Sequence, residues 1–188
     1  MIRTTLAVLT ALSAASVAQA QAVDGRLKEV QIVGEAPAAC LVVAAPTTSG
    51  DNAVFASSSP RGAEVAITQF VDPQTAQVRP TQINLALPVI CNTGHRVIVR
   101  TVNGGLAREG AAVQAQSGFR ALVPYNVIAT WAGLNTSGVS SAGGALTINR
   151  TEGASGDLGI QIQVPPGGDP LIAGTYSDQV IIELQVAT

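Results

Sequence analysis

Near the C-terminus, Gly174 to Val186 reads Gly-Thr-Tyr-Ser-Asp-Gln-Val-Ile-Ile-Glu-Leu-Gln-Val. Tyr176, Val180, Ile182, Leu184 and Val186 fall on one side, with Asp178 as the single charged member. Ser177, Gln179, Glu183 and Gln185 fall on the other, interrupted only by Ile181. Successive side chains of a strand point to opposite faces, so a period of two carried by aromatic and β-branched residues is a half-buried strand. A long apolar strand also presents backbone donors and acceptors along each edge. Its open edge is either covered within the domain or filled by another chain. No other stretch constrains the fold as strongly.

Several more segments share the period of two. Ile83, Leu85, Leu87, Val89 and Cys91 form one face of a strong strand, with Pro88 on the other. Pro88 has no N–H for a ladder, which predicts an edge or a bulge there. In His95 to Val102, Val97 and Val99 point in while Arg96, Ile98 and Arg100 point out. Ala121 to Trp131 puts Val123, Tyr125, Val127, Ala129 and Trp131 on one face, and Leu158, Ile160, Ile162 and Val164 share another. Shorter strands are expected at Ala38 to Ala45, at Ala63 to Phe70 through Val65 and Ile67, and at Ala145 to Asn149. Asp24 to Glu35 alternates weakly: Val30 and Ile32 share a face with Arg26 and Lys28, and Leu27 and Val33 share one with Glu29 and Gln31.

Turn signals separate these runs. Asp72-Pro-Gln-Thr75, Asn92-Thr-Gly94 and Pro165-Pro-Gly-Gly168 are turns, and Asn103-Gly-Gly105 carries the Asn-Gly hairpin signal. Pro46 to Gly62 reads as loop, interrupted by a short strand at Ala53 to Ala56, and Gly133 to Gly144 reads as loop. Short alternating strands, Gly/Pro turns and no amphipathic helix predict an all-β, antiparallel β-sandwich. No repeat of solenoid or propeller length is present.

Charge is sparse, at 12% of residues with a formal net charge of -2, and no basic patch stands out, so no nucleic acid is expected as a partner. Aromatic residues make up only 3%, which leaves Val, Ile, Leu and Ala to fill the core. Residues 1–20 have Arg3, then the Ala-rich apolar run Leu6 to Val17, then Ala18-Gln-Ala20 and Ala20-Gln-Ala22. This is the pattern of a secretory signal peptide cleaved at residue 20 or as late as 22. The apolar run is short for a membrane span, and none is expected. Export to an oxidising compartment favours a disulfide between Cys40 and Cys91. His95 is the only histidine, and no ligand cluster surrounds either thiol, so no metal and no cofactor are expected.

The residues that could carry chemistry are few. A Ser-His-acid arrangement would need His95, but no Gly-x-Ser-x-Gly elbow accompanies it, and it reads as an exposed turn histidine. The carboxylates are scattered, giving no basis for a paired-carboxylate glycosidase. Trp131 and Tyr125 could stack on a sugar, but a spacing of six places both on the inward face with Val127 and Ala129, where they read as core. Tyr176 and Asp178 are candidate polar anchors at the mouth of the last strand; a Tyr176 that packs its ring and hydrogen-bonds its hydroxyl is equally expected. Asn103-Gly-Gly105 is too short for a phosphate loop. Asn135-Thr-Ser137 matches a glycosylation sequon, a pattern common by chance.

Taken in order, several segments carry a resemblance. They are Val30-Gln-Ile-Val-Gly-Glu-Ala-Pro-Ala-Ala-Cys40, Leu87-Pro-Val-Ile-Cys-Asn92, Thr101-Val-Asn-Gly-Gly-Leu106, Val123-Pro-Tyr125 and Ala173-Gly-Thr-Tyr-Ser-Asp178 before the hydrophobic strand. Together they resemble bacterial chaperone–usher pilins, most closely the spore coat protein U-like group of secreted fimbrial subunits. The resemblance covers essentially the whole chain after the signal peptide. It implies an Ig-like sandwich missing its last strand, residues 38–188, with one disulfide, Cys40 to Cys91, tying the first strand to the second. It implies an N-terminal extension, residues 21–37, whose Val23 to Val33 is donated to a neighbouring subunit with Val30 and Ile32 as plugs. The acceptor groove would be flanked by Val180, Ile182 and Leu184. The implied partners are a periplasmic chaperone, an outer-membrane usher and neighbouring subunits of the same fibre, at the surface of a Gram-negative bacterium. Arg26 and Lys28 on the better face of the donor leave few plugs, and pairing of this segment within its own domain is the alternative. Pro46 to Pro80 is long for a simple pilin.

The expected function is therefore a non-catalytic structural subunit of a secreted fibre or coat. The alternative is a self-contained sandwich that acts as an adhesin or glycan-binding module.

Overall fold

The computed structural model describes residues 31–59, 61–110 and 118–187. The chain divides into two units, Met1–Glu35 and Ala36–Thr188. Of the first unit residues 31–35 are described, and they carry no strand. All of the strands among the described residues lie in the second. In chain order they are β1 (Cys40–Val42), β2 (Thr47–Asp51), β3 (Ala53–Ser59), β4 (Gly62–Ile67), β5 (Thr81–Cys91), β6 (His95–Thr101) and β7 (Leu106–Arg108). There follow β8 (Leu122–Val123), β9 (Asn126–Trp131), β10 (Leu134–Val139), β11 (Leu146–Arg150), β12 (Ala154–Val164), β13 (Tyr176–Ser177) and β14 (Val180–Val186). A single 3-10 turn spans Ser140–Ala142, and among the described residues there is no α-helix. The fold is an all-β antiparallel sandwich.

The larger sheet is built on β5 and β12, which pair along their whole lengths from Thr81 opposite Val164 to Cys91 opposite Ala154. β9 pairs with β12, and β10 with β9. On its other side β5 is flanked by β1, opposite Val89 to Cys91, and by β2, opposite Gln82 to Ala86. The facing sheet has the order β11-β6-β14. A small sheet, β13-β7-β8, and the separate hairpin β3-β4 complete the fold.

The period-two readings place the core. Val89 and Cys91 of β5, Val127, Ala129 and Trp131 of β9, and Leu158 and Ile160 of β12 face Val97 and Val99 of β6 and Ile148 of β11, all buried. Tyr125 is buried with them, so both rings of the Tyr125/Trp131 pair pack inward. Asp72 makes the expected turn, its Oδ1 accepting from Gln74 N at 2.9 Å and Thr75 N at 3.2 Å. Those two backbone bonds hold its carboxyl below the ordinary carboxylate value.

Several expectations need correction. Pro46 to Gly62 contains β2 and the whole of β3, which extends the expected Ala53 to Ala56 strand to Ser59, and Gly133 to Gly144 contains β10. Thr-Thr-Ser-Gly-Asp and Leu-Asn-Thr-Ser-Gly-Val have no apolar face to reveal them. They are strands because β5 and β9 offer backbone ladders to pair with. Asn103-Gly-Gly105 joins two sheets and closes no hairpin: β6 pairs with β11 and β14, whereas β7 pairs with β8 and β13. Pro88 lies in a strand flanked on both sides, and its carbonyl accepts from Val43 N at 2.9 Å. Its backbone thus points toward the side where β1 has ended and β2 has not begun, so the missing N–H coincides with that break.

His95 is the clearest correction. It is buried at 1% exposure, because it shares the inward parity of Val97 and Val99. Trp131 Nε1 donates to its Nε2 at 2.7 Å, and Nδ1 lies 2.8 Å from Thr93 O. An Nε2 that accepts requires the tautomer protonated at Nδ1, which donates to Thr93 O.

Cys40 and Cys91 are bridged, with a Cα–Cα distance of 4.1 Å. They are direct cross-strand partners, and Asn92 N donates to Ala39 O at 3.1 Å beside them. That neighbouring bond puts the cysteines at the narrow, non-hydrogen-bonded position of the antiparallel pair, where two Cα atoms come closest. β1 has three residues, and the bridge is its covalent anchor to β5. For a sequence separation of 51 the chain-entropy account assigns the bridge about 4 kcal/mol. Urea unfolding in the presence and absence of reductant is expected to show a loss of that order, matched by Cys40→Ser/Cys91→Ser in oxidising buffer.

Candidate functional site: an apolar cleft beside the last strand

Inward parity does not guarantee burial here. Leu85 and Leu87 lie in the middle of β5 on the same face as buried Ile83 and Val89, yet they are only half-buried. Ile162 stands between buried Ile160 and Val164 on β12 and is half-buried too. On β14 no residue is buried, although Val180, Ile182 and Leu184 carry its apolar face. These residues line one cleft of about 1070 Å³.

The walls of the cleft follow from the strand order. β14 pairs with β6 along one edge, and among the described residues no strand pairs with its other edge. β1 lies near β14 with no backbone pairing between them. Leu41 and Val42 of β1 line one side, and Val180, Ile182 and Leu184 line the other. Leu85, Leu87 and Ile162 form the floor. The hairpin supplies a further wall through Ala63, Val65 and Ile67 of β4. Sequence reading placed Val65 and Ile67 on an apolar face without connecting them to the last strand. The signal available was a surplus of inward apolar positions with too few strands to cover them.

Asp178 fixes the mouth of the cleft. Its Oδ1 accepts from Asn103 N at 2.8 Å and Gln179 N at 2.7 Å. Its Oδ2 accepts from Gly105 N at 2.9 Å and the Tyr125 hydroxyl at 2.8 Å. One carboxylate thereby joins the start of β14, the link between β6 and β7, and the residue that precedes β9. Gly105 is required at this point: its φ is 146°, and a Cβ there would stand 2.7 Å from Val123 O. Ser140 Oγ extends the network, accepting from Tyr125 N and donating to Gly104 O, each at 3.0 Å. Burial, then the hydrogen bond to Asp178 and its negative charge, hold the Tyr125 hydroxyl well above tyrosine's ordinary value of 10.0. Tyr176 packs its ring against Phe70 at 5.3 Å and donates to Ile172 O at 2.8 Å. Burial raises its pKa as well.

Val180, Ile182 and Leu184 thus share the cleft with β1 and the hairpin. Ile32 lies in no strand and is 92% exposed. Val30 and the segment expected to be a signal peptide, residues 1–20, fall outside the described residues. Arg61, Glu64 and Asp178 are the charged side chains on the cleft lining, and Asp178 is already saturated by four donors. His95 stands beside the disulfide, its ring and both sulfurs offering ligand atoms within 4.8 Å of one another. Both sulfurs are spent in the bridge and both ring nitrogens are engaged, which leaves no free donor for a metal. Among the described residues no helix is long and apolar enough to cross a membrane. What the cleft offers chemically is apolar surface and an open strand edge. Comparison with family models, with curated proteins and with solved structures finds no match to this chain.

Two outcomes are expected at the mouth. Asp178→Ala lowers unfolding stability by about 2–4 kcal/mol, since hydrogen bonds to a charged acceptor contribute ~1.5–3 kcal/mol each and part of this cluster is solvated. The second is a pH dependence. Above pH 10 the unfolded chain releases the Tyr125 proton while the fold retains it, so the unfolded state binds fewer protons. Stability from this group is full below tyrosine's ordinary value of 10.0 and declines as pH rises past it. Urea midpoints measured below and above that pH should fall, and Tyr125→Phe should flatten the part of the fall that Tyr125 causes.

Proposed function

We propose that this chain is a structural subunit of a secreted surface fibre or coat, assembled when an extended segment of a neighbouring subunit lies along β14 and fills the cleft. The observation that carries this reading is the pairing of an open strand edge with an adjacent apolar trench. A small-molecule pocket needs an apolar cavity and a few convergent polar groups. This cleft has instead a row of unpaired backbone groups flanked by Val180, Ile182 and Leu184, which is what an added strand recognises: backbone bonds give direction and alternate side chains give fit.

The donor in this reading is Val23 to Val33, with Val30 and Ile32 among its plugs. Burying each Val- or Ile-sized plug contributes about 1.5–3 kcal/mol. Donation from the N-terminal segment of one subunit to the last strand of the next is head-to-tail and does not close on itself, so it builds a filament. A subunit with any part of this trench exposed would carry an apolar, aggregation-prone surface on its route out of the cell. The partners proposed on that ground are a periplasmic chaperone that holds the cleft, an outer-membrane usher that exchanges it, and neighbouring subunits at the surface of a Gram-negative bacterium. The glycan-binding alternative has less support, since Trp131 and Tyr125 are both buried.

The test separates donor from acceptor. A chain lacking residues 23–33 and a full chain carrying Ile182→Asp are each expected to lose the polymer ladder on a non-reducing gel after export. Mixed together, they should form dimers that stop there, because one retains a cleft and the other a donor. Undiminished ladders from either chain alone would overturn the reading.

A further inference from the structure

The hairpin β3–β4 is joined to the rest of the fold in an unusual way. Its strands pair with each other, from Ala53 opposite Ile67 to Ser59 opposite Gly62, and among the described residues with no other strand. The whole of β4 nevertheless borders the cleft, and of its alternating residues Ala63, Val65 and Ile67 are the half-buried ones. Across the cleft stand Val180, Ile182 and Leu184, at the same spacing of two. The outer face of the hairpin is exposed, Val54 at 53%.

Near its tip the hairpin is held by one hydrogen bond, Ser58 Oγ donating to Pro46 O at 3.1 Å, and a denser cluster of bonds gathers at its root. Asn52 has φ 59°, a conformation that asparagine tolerates better than most residues. Its Nδ2 donates to Gln69 O at 2.9 Å and to Thr81 Oγ1 at 3.0 Å, while its Oδ1 accepts from Gln69 N at 2.8 Å and Thr68 Oγ1 at 2.9 Å. The side chain of Asn52 is not on the cleft lining. One side chain outside the cleft therefore ties the hairpin to the beginning of β5.

We propose that β3–β4 is a built-in cover: in the unassembled protein it shields the cleft with Ala63, Val65 and Ile67, and it turns about the Asn52 root when an extended segment enters. The second half of this statement rests on the strand-addition reading above; the first does not. A cover suits a chain whose trench would otherwise present a contiguous apolar patch to every neighbour, an aggregation hazard. Hairpin contacts made only by side chains can be exchanged one by one, whereas a β4 hydrogen-bonded to β14 would have to break a ladder first.

Two variants of the full chain test this. Asn52→Gly keeps the left-handed backbone and removes the clasp. The second variant replaces residues 54–66 with Asn-Gly, which can join the cross-strand partners Ala53 and Ile67 in a two-residue turn. Intact disulfide and unchanged circular dichroism establish that each is folded. Two probes are used, the apolar dye bis-ANS and a synthetic peptide of residues 23–35. Both variants are expected to bind more dye, and to take up the peptide about tenfold faster, the effect of losing roughly one well-formed hydrogen bond at the root. Equal dye binding and equal peptide uptake in wild type and both variants would overturn the proposal. Increased dye binding with no peptide bound by any form would support the cover and count against donation by residues 23–33.

Discussion

Among the described residues β14 is hydrogen-bonded along one edge only, and the rest of the described architecture answers to that condition. A β-sandwich covers its inward side chains with the opposite sheet, so a sheet that stops a strand short uncovers the positions beneath the gap. Leu85, Leu87 and Ile162 are those positions. Each follows the inward alternation of its strand and each is half-buried, while their neighbours Val89, Leu158 and Ile160 are closed off. The cleft is thus a region of core whose cover is incomplete, which accounts for its apolar lining and its shortage of reactive groups.

Leaving core uncovered weakens a domain, and the compensations lie close by. The Cys40–Cys91 bridge fastens a three-residue β1 that backbone pairing alone would hold poorly. Asp178 gathers four donors at the point where the chain enters β14, so the strand is held at its start by a charged hydrogen-bond network and along its length by β6. His95 and Trp131 form a satisfied polar pair beside the disulfide. The frame around the cleft is fastened by covalent and hydrogen-bonded contacts at both ends, whereas the β3–β4 hairpin makes no ladder with either sheet among the described residues. In the proposed assembly that contrast would let one wall give way while the frame keeps its register.

Much of the sandwich was legible from alternation. The faces of β5, β6, β9, β12 and β14 were all readable because one side of each is apolar and the other polar. The strands that escaped, β2 and β10, are made of Thr, Ser, Gly and Asn and owe their existence to the ladder a neighbour offers. His95 escaped for a related reason: next to a turn signal it looked solvent-facing, yet its parity with Val97 already placed it inside, and only its partner Trp131, distant in sequence, made that burial affordable. Asp178 stood out as the one charge on an apolar face, but its partners, Asn103, Gly105 and Tyr125, are brought to it by the fold.

The order of apolar and polar residues by itself determined that this chain makes β-strands and which of their faces turn inward. Those are local properties, set by the two-residue repeat of an extended backbone and by the chemistry of single side chains. Which strands lie side by side, where the sheet stops short, and that a hairpin from the middle of the chain stands across from its last strand were decided by tertiary structure alone. Pairing between strands is chosen by the competition of backbone edges for partners, and that competition depends on every strand at once.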